Sequence, residues 1–174
     1  MSGSTGWTYR DWLSAYGEPA GEPYSADEAR ARYSAGERVT VLVGDPDKPE
    51  QYALIQLGGR SIEVVWLDAL LRPTLTYVYA VKQTDDWPQD TLLLEQVHVN
   101  EYDNDIPLPD AEASYNELYT FHPDRKFFGM RKPRGQQMLE TQGQMTDEQF
   151  ALQCEPVPAF GEWDSLLRHD RESA

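Results

Sequence analysis

The sequence predicts an α+β protein: a strongly curved, mostly antiparallel sheet, or a partly open barrel, of about eight strands, with two N-terminal helices and a short C-terminal helix. Three observations support this prediction. Apolar residues alternate with polar ones from residue 37 onward, short turns separate the alternating segments, and helix signals gather in residues 1–36. Strands joined by short turns pair antiparallel, because a parallel pair needs a long crossover connection.

The first helix is predicted from apolar and aromatic residues that recur at roughly helical spacing: Trp7, Tyr9, Trp12, Leu13 and Tyr16. The second helix has a capping box, in which Ser25 is followed three residues later by Glu28, and Gly36 is its predicted stop. The intervening GEPAGEP is predicted to be a loop.

Nine segments are predicted to form about eight strands: RVTVLVG, QYALIQL, SIEVVWL, LTYVYAVK, LLLEQVHVN, NELYTF, KFFGMR, QQMLETQGQM and FALQCEP. The segment EWDSLLRH is predicted to be the C-terminal helix. We expect one domain over residues 1–174, in which a helical segment 1–36 packs on a sheet formed by 37–160, and residues 161–174 form the last helix and tail. Eight side chains are expected to be mostly buried: Val39, Val41, Val43, Leu54, Val64, Trp66, Val78 and Val97.

The charge of the chain constrains its partners. The formal net charge is −15, and residues 124–134 carry five positive side chains and one negative one, so the rest of the chain has a net charge of −19. A charge of this size repels nucleic acids and anionic membranes and attracts basic proteins. We therefore expect a basic protein partner, with no nucleic acid and no membrane among the partners.

The basic segment itself is predicted to be a solvated hairpin. Its five cations flank the short apolar segment FFGM, and charged ends protect an exposed sheet from edge pairing. The interleaving of aromatic and basic residues is also typical of single-strand binders, but the surrounding field is strongly negative. The hairpin interpretation is favoured.

The lone cysteine, Cys154, excludes an internal disulfide framework and lies in an apolar run, where a buried structural side chain is favoured over a nucleophile. The N-terminus lacks a basic region followed by an apolar stretch, and no segment approaches 18 apolar residues. These features predict a soluble, cytoplasmic protein.

No nucleotide-binding, hydrolase or zinc motif is present in the sequence, and no cofactor or metal is predicted. If one strand face lined a cavity, His98 with Glu95 or Glu117 could perform acid–base chemistry. The cavity wall would then come from aromatic residues of the strands: Trp66, Tyr77, Tyr79 and Tyr119.

The segment EYDNDIPLPDAE, residues 101–112, contains five acids and no base. Asp103 and Asp105 have the spacing of a calcium loop, but Leu108 and Ser114 occupy the positions where such a loop needs glycine and glutamate. We interpret the segment instead as a surface for a basic protein, in which acids surround aromatic anchors. The predicted partner-binding residues are Glu101, Tyr102, Asp103, Asp105, Asp110, Glu112 and Tyr115.

Residues Val157 to Trp163, VPAFGEW, resemble the VPxFGxW element of plant NOI-type immune regulators. The resemblance covers seven residues of 174 and carries no function to this chain. In this chain we expect Phe160 and Trp163 to hold the C-terminal segment against the sheet.

Two functional hypotheses follow. The first is a non-enzymatic binding protein that neutralises a basic protein partner, as immunity proteins and antitoxin-like inhibitors do. The second is a small-molecule carrier or a cofactor-free enzyme with an aromatic-lined cavity in a curved antiparallel sheet. The charge and the lack of catalytic motifs favour the first.

Overall fold

The computed structural model describes residues 6–169, which contain eleven strands, two α-helices and a short 3-10 helix at Leu57–Gly59. The helices are α1 Ala26–Ser34 and α2 Asp147–Ala151. The strands are β1 Trp7–Leu13, β2 Glu18–Tyr24, β3 Val39–Asp45, β4 Lys48–Gln56, β5 Ser61–Leu67, β6 Pro73–Ala80, β7 Thr91–Glu101, β8 Tyr115–Phe121, β9 Lys126–Pro133, β10 Leu139–Gln144 and β11 Cys154–Pro156.

All eleven strands belong to one sheet whose pairings are antiparallel. Strands β3 to β10 follow one another as a meander, β1 pairs with the free side of β3, and β2 follows β1. β11 pairs with the first residues of β7, while β8 pairs with its second half. The antiparallel pairing that the short turns predicted is therefore confirmed.

The predicted curved sheet or partly open barrel is wrong. The strand path has two ends, β10 and β2, and no pairing joins these two strands within residues 6–169. β2 is suited to be an edge, because Pro19 and Pro23 cannot donate backbone hydrogen bonds to a further strand. The strand number is also eleven rather than about eight.

The predicted first helix is wrong as well, because Trp7–Leu13 is a strand that pairs with β2 and β3. Its register shifts between Tyr9 and Asp11. The extra residues at this shift belong to β2, which advances four residues while β1 advances two. Side chains alternate along β1, so Trp7 and Tyr9 pack on one side of the sheet and Trp12 packs on the other. The aromatic spacing of two and then three residues imitates a helical period because this strand carries apolar side chains on both of its faces.

The predicted second helix is confirmed as α1. The Ser25 hydroxyl accepts a hydrogen bond from the backbone N–H of Glu28 at 3.2 Å, as an N-cap does. Ala29 is fully buried and joins α1 to the sheet.

The predicted C-terminal helix is wrong, since residues 161–169 form turns and irregular backbone. Trp163 is nevertheless buried in the core and Phe160 packs against it, as expected, and Leu166 is buried there as well. The sequence interpretation also missed α2. Its signature is present as a capping box, in which Thr146 and Gln149 exchange side-chain and backbone hydrogen bonds.

The sheet has a core on each face. The helix-side core lies under α1 and residues 157–167, and its largest strand contribution comes from β3 to β7. The opposite core is smaller and is formed by Trp12, Leu42, Tyr52, Leu54 and Val65. Of the eight side chains expected inside, Val39, Val41, Leu54 and Val64 are buried, and Val43, Trp66, Val78 and Val97 are partly exposed.

Strands β8 to β10 extend the sheet beyond these cores. Every residue of β8 is only partly buried, and every residue of β10 is exposed. A Cβ atom at Gly129 would lie 2.9 Å from the Tyr119 ring and 2.8 Å from Thr141, so the ring lies on the glycine and compensates for its missing side chain. None of the helices in residues 6–169 is sufficiently long and apolar to span a bilayer.

Candidate partner-binding surface

The acidic loop, residues 101–114, connects β7 to β8 at one end of the sheet. Its five acids, namely Glu101, Asp103, Asp105, Asp110 and Glu112, are all exposed. Ile106 lies among them and is 46% exposed. The five predicted acids therefore lie on one solvated segment.

Arg72 holds this loop against the sheet. Its side chain is 7% exposed, and its guanidinium binds the Asp68 carboxylate through Nε and Nη2, each at 2.7 Å. Nη1 donates to the backbone carbonyl oxygens of Asn104 at 2.6 Å and Ile106 at 3.2 Å. A guanidinium can serve this role because its donors lie in a fixed planar fork. The loop is thus pinned at two carbonyl groups by one buried cation.

The two aromatic residues of the predicted surface have different surroundings. Tyr102 is partly buried, with the Arg72 guanidinium 4.2 Å from its ring centroid and its hydroxyl donating to the Pro73 carbonyl oxygen at 3.2 Å. Tyr115 begins β8 opposite Glu101, and its hydroxyl donates to the carboxylate of Glu117. This hydrogen bond raises the pKa of Tyr115, so its phenol stays protonated. The contacts of Tyr102 with Arg72 and Pro73 therefore stabilise the start of the acidic loop, in addition to the binding role predicted for this residue.

A cavity of about 570 Å³ adjoins the start of the acidic loop. It is formed where β6 begins and β7 ends, and its lining residues are Asp68, Thr74, Leu75, Val99, Asn100, Glu101, Tyr102 and His169. Leu75 and Val99 are direct cross-strand partners and give the cavity an apolar part. Its acidic groups are Asp68 and Glu101.

The basic segment is largely neutralised by nearby acids. Four of its five cations lie within ion-pair distance of a carboxylate: Arg125 with Asp147, Lys126 with Asp124 at 2.5 Å, Arg131 with Glu117 at 3.1 Å, and Arg134 with Asp103 at 3.6 Å. Lys132 makes no ion pair with another residue in the range 6–169. The Arg134–Asp103 pair links this segment to the acidic loop.

The candidate acid–base residues are not brought together. His98 faces Leu118 across β8, whereas Glu117 faces Val99, so the two candidates lie on opposite faces of the sheet. Burial lowers the pKa of His98, and its Nε2 lies 3.1 Å from the Gln96 side-chain oxygen. Glu95 is ion-paired with Lys82.

Leu94 lies in the helix-side core, on the face opposite His98, because β7 has a bulge after Leu94. Burial also raises the pKa of the half-buried Cys154 thiol, which disfavours the nucleophilic thiolate.

The four predicted cavity aromatics lie on the helix-side face of the sheet. Tyr79 is fully buried and Tyr77 is 5% exposed, and both pack in the helix-side core. Trp66 meets Tyr77 edge-on, with ring centroids 4.8 Å apart. Tyr119 lies farther out, where its hydroxyl accepts hydrogen bonds from Arg131 at 2.7 and 3.0 Å. None of the four lines the cavity described above.

Sequence reasoning missed Arg72 and Glu63. Arg72 has one local signal, since Asp68 precedes it by four residues across a turn, but its contacts with the acidic loop have no counterpart in the sequence. Glu63 lies within the apolar run of β5, and its burial raises the pKa of its carboxyl group. Within residues 6–169, no three His, Cys, Asp or Glu side chains are grouped so that they could hold a metal ion.

Comparisons with protein-family models, curated proteins and solved structures find no match to this chain.

Asp68 and Glu63 should make stability depend on pH in opposite directions. Burial acts to raise the pKa of Asp68, but hydrogen bonds from the Arg72 side chain and from the backbone N–H groups of Arg72 and Leu70 outweigh it, so the pKa is lowered. A lowered pKa stabilises the fold fully above the unfolded value near 3.9, and this contribution disappears as the pH falls through the folded value. For Glu63 the raised pKa destabilises the fold as the pH rises above the unfolded value near 4.3.

We therefore expect Asp68→Asn to lower, and Glu63→Gln to raise, the free energy of unfolding at pH 7. Both differences from the wild type should shrink as the pH falls below about 4. Urea denaturation of the three proteins between pH 3 and pH 7 measures this. Equal pH dependence of Glu63→Gln and the wild type would contradict the assignment of Glu63.

Proposed function

We propose that this chain is an acidic, non-enzymatic binding protein that associates with a basic protein partner, in the manner of immunity proteins and antitoxin-like inhibitors. The observation that carries the proposal is the acidic loop, whose five exposed carboxylates are presented on a backbone held by Arg72. A loop that is ordered before binding loses less conformational entropy on association than a mobile one. The charges accelerate encounter with a cationic surface, and apolar groups among them add affinity.

The proposed partner is a protein rather than a nucleic acid. Four of the five cations in the basic segment are paired with acids, and the remaining chain is strongly negative. Binding to a nucleic acid requires cations that can replace the counterions of its phosphate backbone. We propose that the association takes place in the cytoplasm, where the thiol of Cys154 would remain reduced.

The alternative is a small-molecule carrier or cofactor-free enzyme. The cavity beside the acidic loop supports it, since its volume would accommodate a small ligand. We favour the protein partner because the cavity opens beside the acidic loop and is lined by none of the four predicted aromatics. The predicted acid–base residues also lie apart.

Charge reversal on the acidic loop should slow association with the partner. The partner is first isolated by affinity capture from the organism that encodes this chain, and its binding is then followed by stopped-flow or surface-plasmon kinetics. Asp105→Lys combined with Asp110→Lys should lower the association rate constant on the order of tenfold at low salt, because steering by complementary charge is lost. High salt should bring the wild type towards the same rate.

Asp105 and Asp110 are chosen because Asp103 already lies 3.6 Å from Arg134, so that its reversal would also disturb the loop. Asp85→Lys combined with Asp86→Lys is the matched control, since both acids are exposed on another loop. The control should alter the association rate less than the test variant does. Equal slowing by both variants would show a general effect of net charge and contradict the acidic loop as the interface.

A further inference from the structure

The cavity beside the acidic loop combines an apolar surface with one carboxylate that has no partner among residues 6–169. Leu75 and Val99 face each other across β6 and β7, and Glu101 follows Val99 by two residues on the same face of the strand, about 7 Å along. An apolar strip that ends at a negative charge matches a side chain with an aliphatic stem and a cationic head.

Of the two acidic side chains that line the cavity, Glu101 is the one that can bind a cation of the partner. The Asp68 carboxylate is occupied by the Arg72 guanidinium and by backbone N–H groups. The Glu101 carboxylate makes no hydrogen bond or ion pair with another residue of the range 6–169, and Ser114 donates to the backbone carbonyl oxygen of Glu101 rather than to its carboxylate. The Tyr102 hydroxyl donates its proton to Pro73, so its oxygen can still accept a hydrogen bond from a ligand.

We propose that this cavity receives a lysine side chain of the basic partner. The stem would pack on Leu75 and Val99, and the ammonium would bind the Glu101 carboxylate and the Tyr102 oxygen. Lysine is favoured over arginine because its four-carbon stem covers more of the apolar strip, and its three rotatable donors can reach the Glu101 carboxylate and the Tyr102 oxygen without lying in one plane. This assignment rests on the proposed function, since it names the group through which the basic partner would anchor beside the acidic loop.

The test titrates the full chain with Nα-acetyl-lysine methylamide and follows the methyl NMR signals of Leu75 and Val99. Saturable shifts are expected, with a dissociation constant on the order of 1–10 mM, as suits one side chain in an open site. Nα-acetyl-norleucine methylamide has the same stem without the ammonium, and it should bind more weakly. Glu101→Gln should weaken lysine binding about two- to fivefold, as is typical of an exposed ion pair.

Asp110→Asn removes the same charge outside the cavity lining and should leave lysine binding nearly unchanged. The assignment would be overturned if no methyl shifts saturated up to about 50 mM, a concentration well above the expected constant. It would also be overturned if norleucine bound as well as lysine, if capped arginine bound more tightly, or if Glu101→Gln and Asp110→Asn had equal effects.

The two proposals fail in different measurements. If charge reversal on the acidic loop slows the partner while capped lysine leaves the methyl signals unchanged, the interface stands and the lysine assignment is wrong. If capped lysine binds as expected while charge reversal has no specific effect, the cavity binds an ammonium group and the acidic loop is not the interface.

Discussion

Replacing Trp163 with alanine is expected to lower the free energy of unfolding by about 3–5 kcal/mol. The indole is fully buried and lies between α1 and the sheet, with its ring centroid 5.8 Å from that of Tyr33 and 5.7 Å from that of Phe160. Truncation removes these contacts and leaves a cavity that the surrounding strands can fill only in part. Urea denaturation followed by circular dichroism measures the loss.

Two control variants distinguish packing from other effects. Trp163→Phe should cost less, about 1–2 kcal/mol, because it keeps an aromatic ring and removes a buried indole N–H that has no hydrogen-bond partner in the described residues. Leu152→Ala should cost below about 0.5 kcal/mol, since Leu152 is 55% exposed. A loss below about 1 kcal/mol for Trp163→Ala would contradict the tight packing of residues 157–167 on the sheet.

The segment around Trp163 shows what the sequence could predict and what it could not. Its apolar side chains indicated burial correctly, and Tyr33 adds a hydrogen bond from its hydroxyl to the Pro158 carbonyl oxygen at 2.7 Å. The helix predicted for EWDSLLRH does not form, although Trp163 and Leu166 are three residues apart as on a helix face. A spacing of three residues fits successive turns as well as a helix. The apolar residues therefore predicted burial, but their spacing did not predict the backbone conformation.

The antiparallel sheet was predictable because alternation and short turns are local properties. β3, β4 and β5 follow this pattern, and their pairings are direct neighbours in sequence. β1 was missed because its aromatic residues lie on both faces, and because its partner β3 lies beyond α1 in the chain. A strand that is covered on both faces lacks the alternation of apolar and polar residues by which a strand is recognised.

The candidate site was likewise predictable only where it depends on residues that are adjacent in sequence. The acids of the loop are adjacent in sequence, so their shared position required no knowledge of the fold. The face on which His98 and Glu117 lie depends on the register between β7 and β8, and a shift of one residue would exchange the faces. The contact between Arg72 and the Asn104 carbonyl joins residues 32 positions apart, and only the folded sheet brings them together.

Replacing Arg72 with methionine is expected to lower the free energy of unfolding by about 3–5 kcal/mol, because Asp68 would keep a partly buried charge without its partner. The acidic loop would lose its two tethers at Asn104 and Ile106. Urea denaturation measures the first effect. Faster hydrogen exchange of the Ile106 amide, which donates to the Asn104 side chain, measures the second.

The double variant Asp68→Asn with Arg72→Met separates the charge from the tether. Asparagine keeps an oxygen that can accept hydrogen bonds from the backbone N–H groups of Leu70 and residue 72, but it carries no charge that needs a partner. The double variant should therefore be more stable than Arg72→Met alone and should still show fast exchange at Ile106. In both variants the untethered loop must become ordered when the partner binds. The conformational entropy lost in this step should make the affinity for the proposed partner lower than that of the wild type. Slow exchange at Ile106 in Arg72→Met would show that the loop is ordered by its own contacts, and the role of Arg72 in presenting the acids would be wrong.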